Sequence, residues 1–341
     1  MKSTFFVGLD VHLRHTNVCI LDQRGNRVKQ ATVRGPWSEI VTLLQGLTGE
    51  IQVCFEASCG YGHLFDQLSR VASRVKVAHP GQLRLIFRSK RKNDRVDAEK
   101  LAKLLYLDEV PAVYVPSDQV RAWRQLIEYR SRVVAKRTRA KNSLRALLRS
   151  LGIASPRGPS LWTRKGITWL RELKLELMYA LRRDLLLDEM ELLDQQIARC
   201  ETQLKRFADT HPAVGLLQTI PGVGPRTAEA VVAYIDDPRR FSRSKQVGCY
   251  FGLAPSQDQS GPANRLGHIT REGPATVRRL LIEAAWQGIR RSPTIRGFYE
   301  RIQEEKSDRR KLALVATAHY LARVMHAMLK NGELWHESLA A

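Results

Sequence analysis

Four carboxylates in the first hundred residues have the spacing of a metal site. Asp10 closes the apolar run Phe5–Leu9 and Glu56 closes Ile51–Phe55, so each is expected at the end of a buried strand. Asp94 and Asp97 stand three apart in a segment that opens a helix, which projects both from one face. Four carboxylates at one sheet edge suit Mg²⁺ or Mn²⁺, hard ions that take oxygen ligands and let substrate phosphate complete the shell. Two such ions clamp the attacking and leaving oxygens of a phosphoryl transfer. Plain structural readings stand beside this one: a strand-end turn residue at Asp10, an N-cap at Asp94, a first-turn acid at Asp97. Glu56 fits them least, because a carboxylate ending a buried strand needs a partner. Arg84, Arg88, Lys90, Arg91, Lys92 and Arg95 crowd the approach to Asp94, either neutralising the acids or forming a track for phosphates.

Two motifs further along the chain bear on the same chemistry. Thr219–Ala228 contains Pro-Gly-Val-Gly and reads as a helix-hairpin-helix turn, where Gly222 and Gly224 let backbone N–H groups approach a phosphate. A plain helix–helix turn is the alternative. Gly252 to Gly273 reads as one long polar loop carrying Ser256, Ser260 and His268. A serine in such a loop is ordinarily only a loop residue. Arg265, Arg271, Arg278 and Arg279 raise Ser260 above that, since guanidinium groups activate a hydroxyl and stabilise a crowded phosphorus centre.

The elements that must position these groups follow from the pattern. Phe5–Leu9, Asn17–Leu21 and Arg27–Val33 form an antiparallel meander. A helix over Ser38–Leu47, a strand over Ile51–Phe55, a helix over Tyr61–Val71 and a strand over Val75–Ala78 follow. This β-β-β-α-β-α-β-α order is that of an RNase H-like α/β domain with a mixed sheet. Arg121 to Arg149 then carries ten Lys or Arg against one acid, Glu128, with apolar residues at helical spacing. After a Gly/Pro/Ser break at Gly152–Pro159, a second amphipathic helix is expected over Asp184–Phe207. Leu185, Leu186, Met190, Leu193, Ile197 and Leu204 share its apolar face, and the two helices together suggest an antiparallel coiled-coil-like arm. The domains expected are 1–115, α/β; 116–210, helical; and 211–341, mainly helical and ending in a helix over Arg309–Leu329.

Composition narrows the function. Fifty-six Lys and Arg against 34 Asp and Glu leave +22 over 341 residues, a balance that calls for a polyanionic partner, most commonly nucleic acid. The longest apolar runs are about five residues against the roughly 20 of a spanning helix, so no membrane partner is expected. No signal peptide is read at the N-terminus. Five cysteines without a Cys-x-x-Cys pair argue against a disulfide framework or zinc site and for a cytoplasmic location.

Gly8-Leu9-Asp10-Val11-His12, Phe55-Glu56-Ala57, Lys92–Ala98 and Gly252-Leu253-Ala254-Pro255…Ser260-Gly261…Arg265-Leu266-Gly267-His268-Ile269 together resemble the DEDD transposases of the insertion-sequence-110 family, in order and spacing over nearly the whole chain. The Arg-Leu-Gly-His-Ile stretch is similar to the branch that includes the eleven-eleven subgroup. The resemblance implies a RuvC-like first domain, a coiled-coil middle and a C-terminal transposase domain. It implies that Asp10, Glu56, Asp94 and Asp97 hold Mg²⁺ or Mn²⁺ and that Ser260 is the nucleophile, with Ser256 as the alternative. It also implies donor and target DNA as substrates, an element-encoded guide RNA, a homodimer or homotetramer, and a site composed of one subunit's acids and another's serine. Arg137, Arg139, Lys141 and Arg145 are the arm cations expected to contact nucleic acid. A RuvC-like junction nuclease that uses water, or a non-catalytic nucleic-acid-binding scaffold, would carry the same charge without needing the serine.

Overall fold

A computed structural model describes residues 3–86, 94–154, 161–260 and 263–337, apart from the side chains of 94, 95, 260, 263 and 264. Arg88, Lys90, Arg91 and Lys92 lie outside the described residues. The chain divides into two compact units, 1–121 and 122–341.

The first unit is a five-stranded mixed sheet with helices on both faces. Its elements are β1 (Thr4–Val11), β2 (His15–Leu21), β3 (Arg27–Arg34), α1 (Ser38–Gln45), β4 (Glu50–Glu56), α2 (Tyr61–Leu68), β5 (Arg74–Ala78), α3 (Pro80–Ile86) and α4 (Asp94–Tyr106). The sheet order is β3-β2-β1-β4-β5, antiparallel across β1–β2 and β2–β3 and parallel across β1–β4 and β4–β5. Strand alternation sorts the side chains. Val7, Leu9, Val18, Ile20, Val53 and Phe55 pack with Ile40, Leu44, Leu64 and Leu68 of α1 and α2. Cys19, Leu21 and Cys54 turn the other way, onto Ala98, Ala102 and Leu101 of α4.

Gly8 fixes where α4 lies. A Cβ there would stand 2.0 Å from the Ala98 carbonyl oxygen and 2.4 Å from the Ala102 nitrogen, both backbone. Tyr106, at the other end of α4, meets Phe6 edge-on at 5.3 Å. The helix therefore runs antiparallel to β1, with its first turn toward the strand end that carries Asp10.

In the second unit α5 (Asp118–Ser150), which begins within the last residues of the first unit, is followed by α6 (Arg164–Glu172) and α7 (Leu177–Ala208). α5 and α7 run antiparallel: Arg130 pairs with Glu201 and Arg137 with Asp194, one heptad on in each helix, and Val133 packs on Leu193 and Ile197. The buried face of α7 carries Leu187, Met190, Leu193, Ile197 and Leu204, whereas Leu185, expected on it, is 61% exposed. Leu187 stands three residues before Met190, on its side of the helix, and packs on Leu144, Leu147 and Leu170, whereas Leu185 stands five before it.

The remaining helices, α8 (Pro212–Gln218), α9 (Pro225–Ile235), α10 (Ser244–Tyr250), α11 (Ala275–Arg291), α12 (Pro293–Gln303) and α13 (Arg310–Asn331), share one core around Val231, Leu281, Ala285, Leu321 and Met325. The segment read as a long polar loop is instead a hairpin, β6 (Pro255–Ser260) paired antiparallel with β7 (Ala263–Ile269). Its polar composition hid the strands because both faces are exposed, so no apolar alternation marks them. α13 is the one helix among the described residues long and apolar enough to cross a membrane by length and composition, although the residue runs suggested none. Its Ala313, Thr317, Ala318, Leu321 and Met325 are buried within the unit's core.

Gly8→Ala should lower stability by about 1–3 kcal/mol, the scale of overpacking in a close-packed interior. Urea unfolding measures it, and a loss below roughly 0.5 kcal/mol, the range of neutral surface changes, would show that α4 is not held there.

Candidate active site

The parallel register sets Leu9 beside Phe55, so Asp10 and Glu56 follow abreast at the carboxyl ends of neighbouring strands. Both fall on the α4 face, two residues after Gly8 and Cys54 respectively. On the other side of Asp10, the antiparallel register places Asn17, buried, with its carbonyl oxygen accepting from the Thr32 hydroxyl at 2.8 Å. Asp97 sits in the first turn of α4, one residue before the Ala98 that covers Gly8. Asp94 opens the same helix, its side chain outside the described residues.

Each described acid meets another polar group or solvent. Asp10 Oδ2 lies 3.0 Å from His12 Nε2, and the His12 ring stacks on His15 at 4.6 Å. Lys100 Nζ donates to Asp97 Oδ1 at 2.9 Å, and Glu56 is exposed. Among the described residues no three His, Cys, Asp or Glu groups lie close enough together to hold an ion. The donor set nonetheless suits a hard cation: carboxylate oxygens from two strand ends and one helix start, with no thiolate among them. Cys54, on the same sheet face, is removed from the chemistry by burial, which pushes its thiol up to about 12. His12 and Lys100 were not singled out by sequence. Both were within reach of inspection: Lys100 stands three residues after Asp97 on a helix, and His12 two residues after Asp10 at the strand's end.

In the second unit β6 ends at Ser260, paired in register with Ala263 at the hairpin's tip. The Ser260 side chain is outside the described residues. Ser256 lies near the hairpin's base, where its Oγ occupies the space a side chain at position 267 would need, 2.5 Å from a Cβ at Gly267. The four arginines expected to serve Ser260 divide. Arg278 donates to the Phe251 and Glu272 carbonyls at the hairpin's base, and Arg279 pairs with Glu283 and the Ser131 hydroxyl. Arg265 and Arg271 are exposed, Arg265 opposite Asp258 across the strands, as is His268.

The cations of α5 divide in the same way. Arg137 pairs with Asp194, Lys141 and Arg145 stand 5.1 and 5.0 Å over the Trp162 ring, and Arg139 is exposed. In the first unit Arg84 is exposed on α3. The turn between α8 and α9 matches the helix-hairpin-helix expectation in type, with unequal glycines. Gly222, at φ +92°, packs on α11, where a Cβ would strike the Gly288 nitrogen at 2.5 Å; Gly224, the N-cap of α9, has open space before it.

Behind that turn lies a buried charged group. Glu229 is 1% exposed, its Oε1 is 3.0 Å from Arg226 Nη1, and its Oε2 has no hydrogen-bond partner among the described residues. Burial pushes its carboxyl up to about 7, against the pull of Arg226 and Arg130. Nearby, Glu128 accepts from the Tyr234 and Thr276 hydroxyls, tying α5 to α9 and α11.

Residues 7–153 match a DEDD transposase model of the IS110 family, and residues 214–300 match the model described as Transposase IS116/IS110/IS902 family. The chain is similar to the transposase for insertion sequence element IS1111A of Coxiella burnetii, 29% identical over 84% of this chain and 78% of that protein. It is similar to a probable family 20 transposase of Pseudomonas aeruginosa, 30% identical over 82% of this chain and 84% of that one. A pilin gene-inverting protein of Moraxella bovis is 29% identical over 42% of this chain and 44% of its own length.

Glu229 gives this unit a pH signature. The folded state keeps a proton, up to about pH 7, that a free glutamate releases near 4.5. Stability from that proton is therefore full below pH 4.5 and lost as pH rises through 7, by an amount on the order of 3 kcal/mol. Glu229→Gln should flatten this decline, seen as a smaller change in urea midpoint between pH 5 and pH 7.5. Parallel pH profiles for the two proteins would contradict it.

Proposed function

Since this chain belongs to the IS116/IS110/IS902 family of insertion-sequence transposases, we propose that it cuts and rejoins DNA by phosphoryl transfer, using four carboxylates in one compact unit and a serine in the other. The β1–β4 pairing carries this reading, because it sets Asp10 and Glu56 abreast on the face that α4 covers. A β3-β2-β1-β4-β5 sheet with helices on both faces supports an RNase H-like, RuvC-like fold for the first unit.

Asp10, Glu56, Asp94 and Asp97 would hold Mg²⁺ or Mn²⁺, which when bound supplies positive charge at the phosphate oxygens. His12 and Lys100 orient two of these acids. Ser260, whose backbone pairs with Ala263 at the hairpin tip, would be the nucleophile. Its oxygen bonds to phosphorus as the bond to one strand's 3′-oxygen breaks, leaving a 5′-phosphoserine link, and a second strand's 3′-hydroxyl reverses the step. Arg265, two residues along β7 from the Ser260 partner Ala263, would place positive charge toward the phosphorus, whereas Arg271 lies at the hairpin's base. Similarity to a gene-inverting protein supports rejoining as well as cutting.

The α5–α7 pair acts as a coiled-coil arm that binds nucleic acid and joins subunits into a homodimer or homotetramer. The one-sided charge of α5 supports the first role, and the exposed Leu177, Leu181, Leu185 and Leu192 on α7 support the second. One subunit's acids then face another's serine, so no subunit cuts alone, and an element-encoded guide RNA selects the DNA.

A suicide DNA substrate tests the chemistry. An adduct should form on Ser260 and be lost in Ser260→Ala, and Asp10→Asn should slow cleavage by about 100-fold or more, the scale of removing one charge-stabilising group. An adduct on Ser256 would move the nucleophile. Normal cleavage with no adduct would make the protein a water-using nuclease, and cleavage indifferent to Asp10→Asn would remove the acids from the reaction.

A further inference from the structure

A cavity of about 390 Å³ opens in the first unit between the β1–β2 turn, the link from β3 into α1, and α2. That lies within the roughly 300–1,000 Å³ of sites that take small organic groups. Leu13, Pro36, Trp37, Ser38, His63 and Gln67 line it. Leu13 is 89% exposed, an apolar side chain held in water at the tip of a turn. The Trp37 and His63 rings face one another with centroids 6.1 Å apart and planes inclined at 34°, and Gln67 Nε2 lies 3.4 Å from His63 Nε2. Gly60 seats the indole, since a Cβ at that position would fall 2.6 Å from its ring edge.

The location is informative. Leu13 is the third residue after Asp10 and Gly60 the fourth after Glu56, so two of the walls follow the acid-bearing strand ends, on the α1–α2 side of the sheet, and the third, with Trp37, follows β3. The Gly35 N–H donates to the Arg14 carbonyl at 3.2 Å and ties two of those walls together. Arg14 and Arg34, both exposed, flank these segments with positive charge.

A flat aromatic wall, an apolar cap, and an imidazole and a carboxamide that both donate and accept make the chemistry that reads an unstacked nucleobase. Phosphate contacts position a strand, and base contacts add specificity. We propose that this cavity receives one base of the DNA strand next to the phosphate under attack, stacked on Trp37 and read at its edge by His63 and Gln67. The proposal rests on the reading of Asp10 and Glu56 as catalytic acids, and it adds a base-selective contact made by the protein itself.

The test needs no cleavage. The full chain is irradiated with a single-stranded deoxyoligonucleotide of about 12 residues, within the span such grooves cover, carrying one 5-iododeoxyuridine, and the adduct is mapped by proteolysis. The expected adduct is on Trp37 or His63. His63→Ala with Gln67→Ala, both reachable from solvent, should cut its yield about fivefold while total binding, dominated by phosphate contacts, changes less than about twofold. Trp37→Phe should preserve the yield, since a ring is still present to stack on. Adducts only at other aromatics such as Trp286, or a yield the double variant leaves unchanged, would overturn the proposal. An equivalent ribo-oligomer captured better than the deoxy strand would overturn DNA as the occupant. An adduct at Trp37 without strand cleavage under any condition would keep the cavity and sink the reaction. Cleavage through Ser260 with no adduct in the cavity would do the reverse.

Discussion

The contact between Gly8 of β1 and the backbone of α4 is the constraint on which the first unit depends. No side chain larger than hydrogen fits between the strand and the helix there, so α4 rests on the sheet at backbone distance. That depth brings the first turn of α4, with Asp97 and the start of the helix at Asp94, over the strand end that carries Asp10. The parallel join to β4 supplies Glu56 at the same level. A meander alone could not do this, since antiparallel neighbours would bring β1 against a strand running the other way and leave Glu56's level empty. The crossover from β3 through α1, which lays β4 parallel beside β1, is therefore what turns two isolated strand-end acids into neighbours.

The second unit follows a different rule: its cations are shared between structure and surface. Arg130 and Arg137 are used on α7, Arg278 and Arg279 on the base of the hairpin and on α5, and Lys141 and Arg145 on the Trp162 ring. Arg139 on the long helix, Arg265 on the hairpin and Arg271 just after it are among those exposed. The 56 Lys and Arg thus overstate what is ready for phosphate, because some of them pair with the protein's own acids and carbonyls. Arg226, half-buried, meets the buried Glu229 carboxyl behind the turn whose Gly224 faces open space.

Much of this was legible in the sequence because burial writes period-two and helical patterns into a chain. The strands ending at Asp10 and Glu56, the meander, and the two long helices all carried apolar alternation or stripes that their cores require. What escaped was what those patterns do not encode. The β6–β7 hairpin is solvated on both faces and so reads as loop. Leu187 rather than Leu185 is buried because it meets Leu144, Leu147 and Leu170, partners on other helices that a single helix's stripe does not name. Gly222 resembled a phosphate-binding glycine, yet the backbone of α11 fills its space. The acids themselves were recognisable by type and spacing, whereas their grouping rests on a helix–sheet contact made through a residue with no side chain.

The account stands most directly on whether the edge formed by β1, β4 and α4 holds a divalent cation. Manganese titrated into isotope-labelled full-length protein reports this through paramagnetic broadening of nearby amide signals. The account predicts early, selective broadening of Asp10–Val11, Glu56–Ala57 and Val96–Ala98, abolished by Asp10→Asn combined with Glu56→Gln. Broadening spread evenly over the surface acids, or centred elsewhere and indifferent to those substitutions, would contradict it.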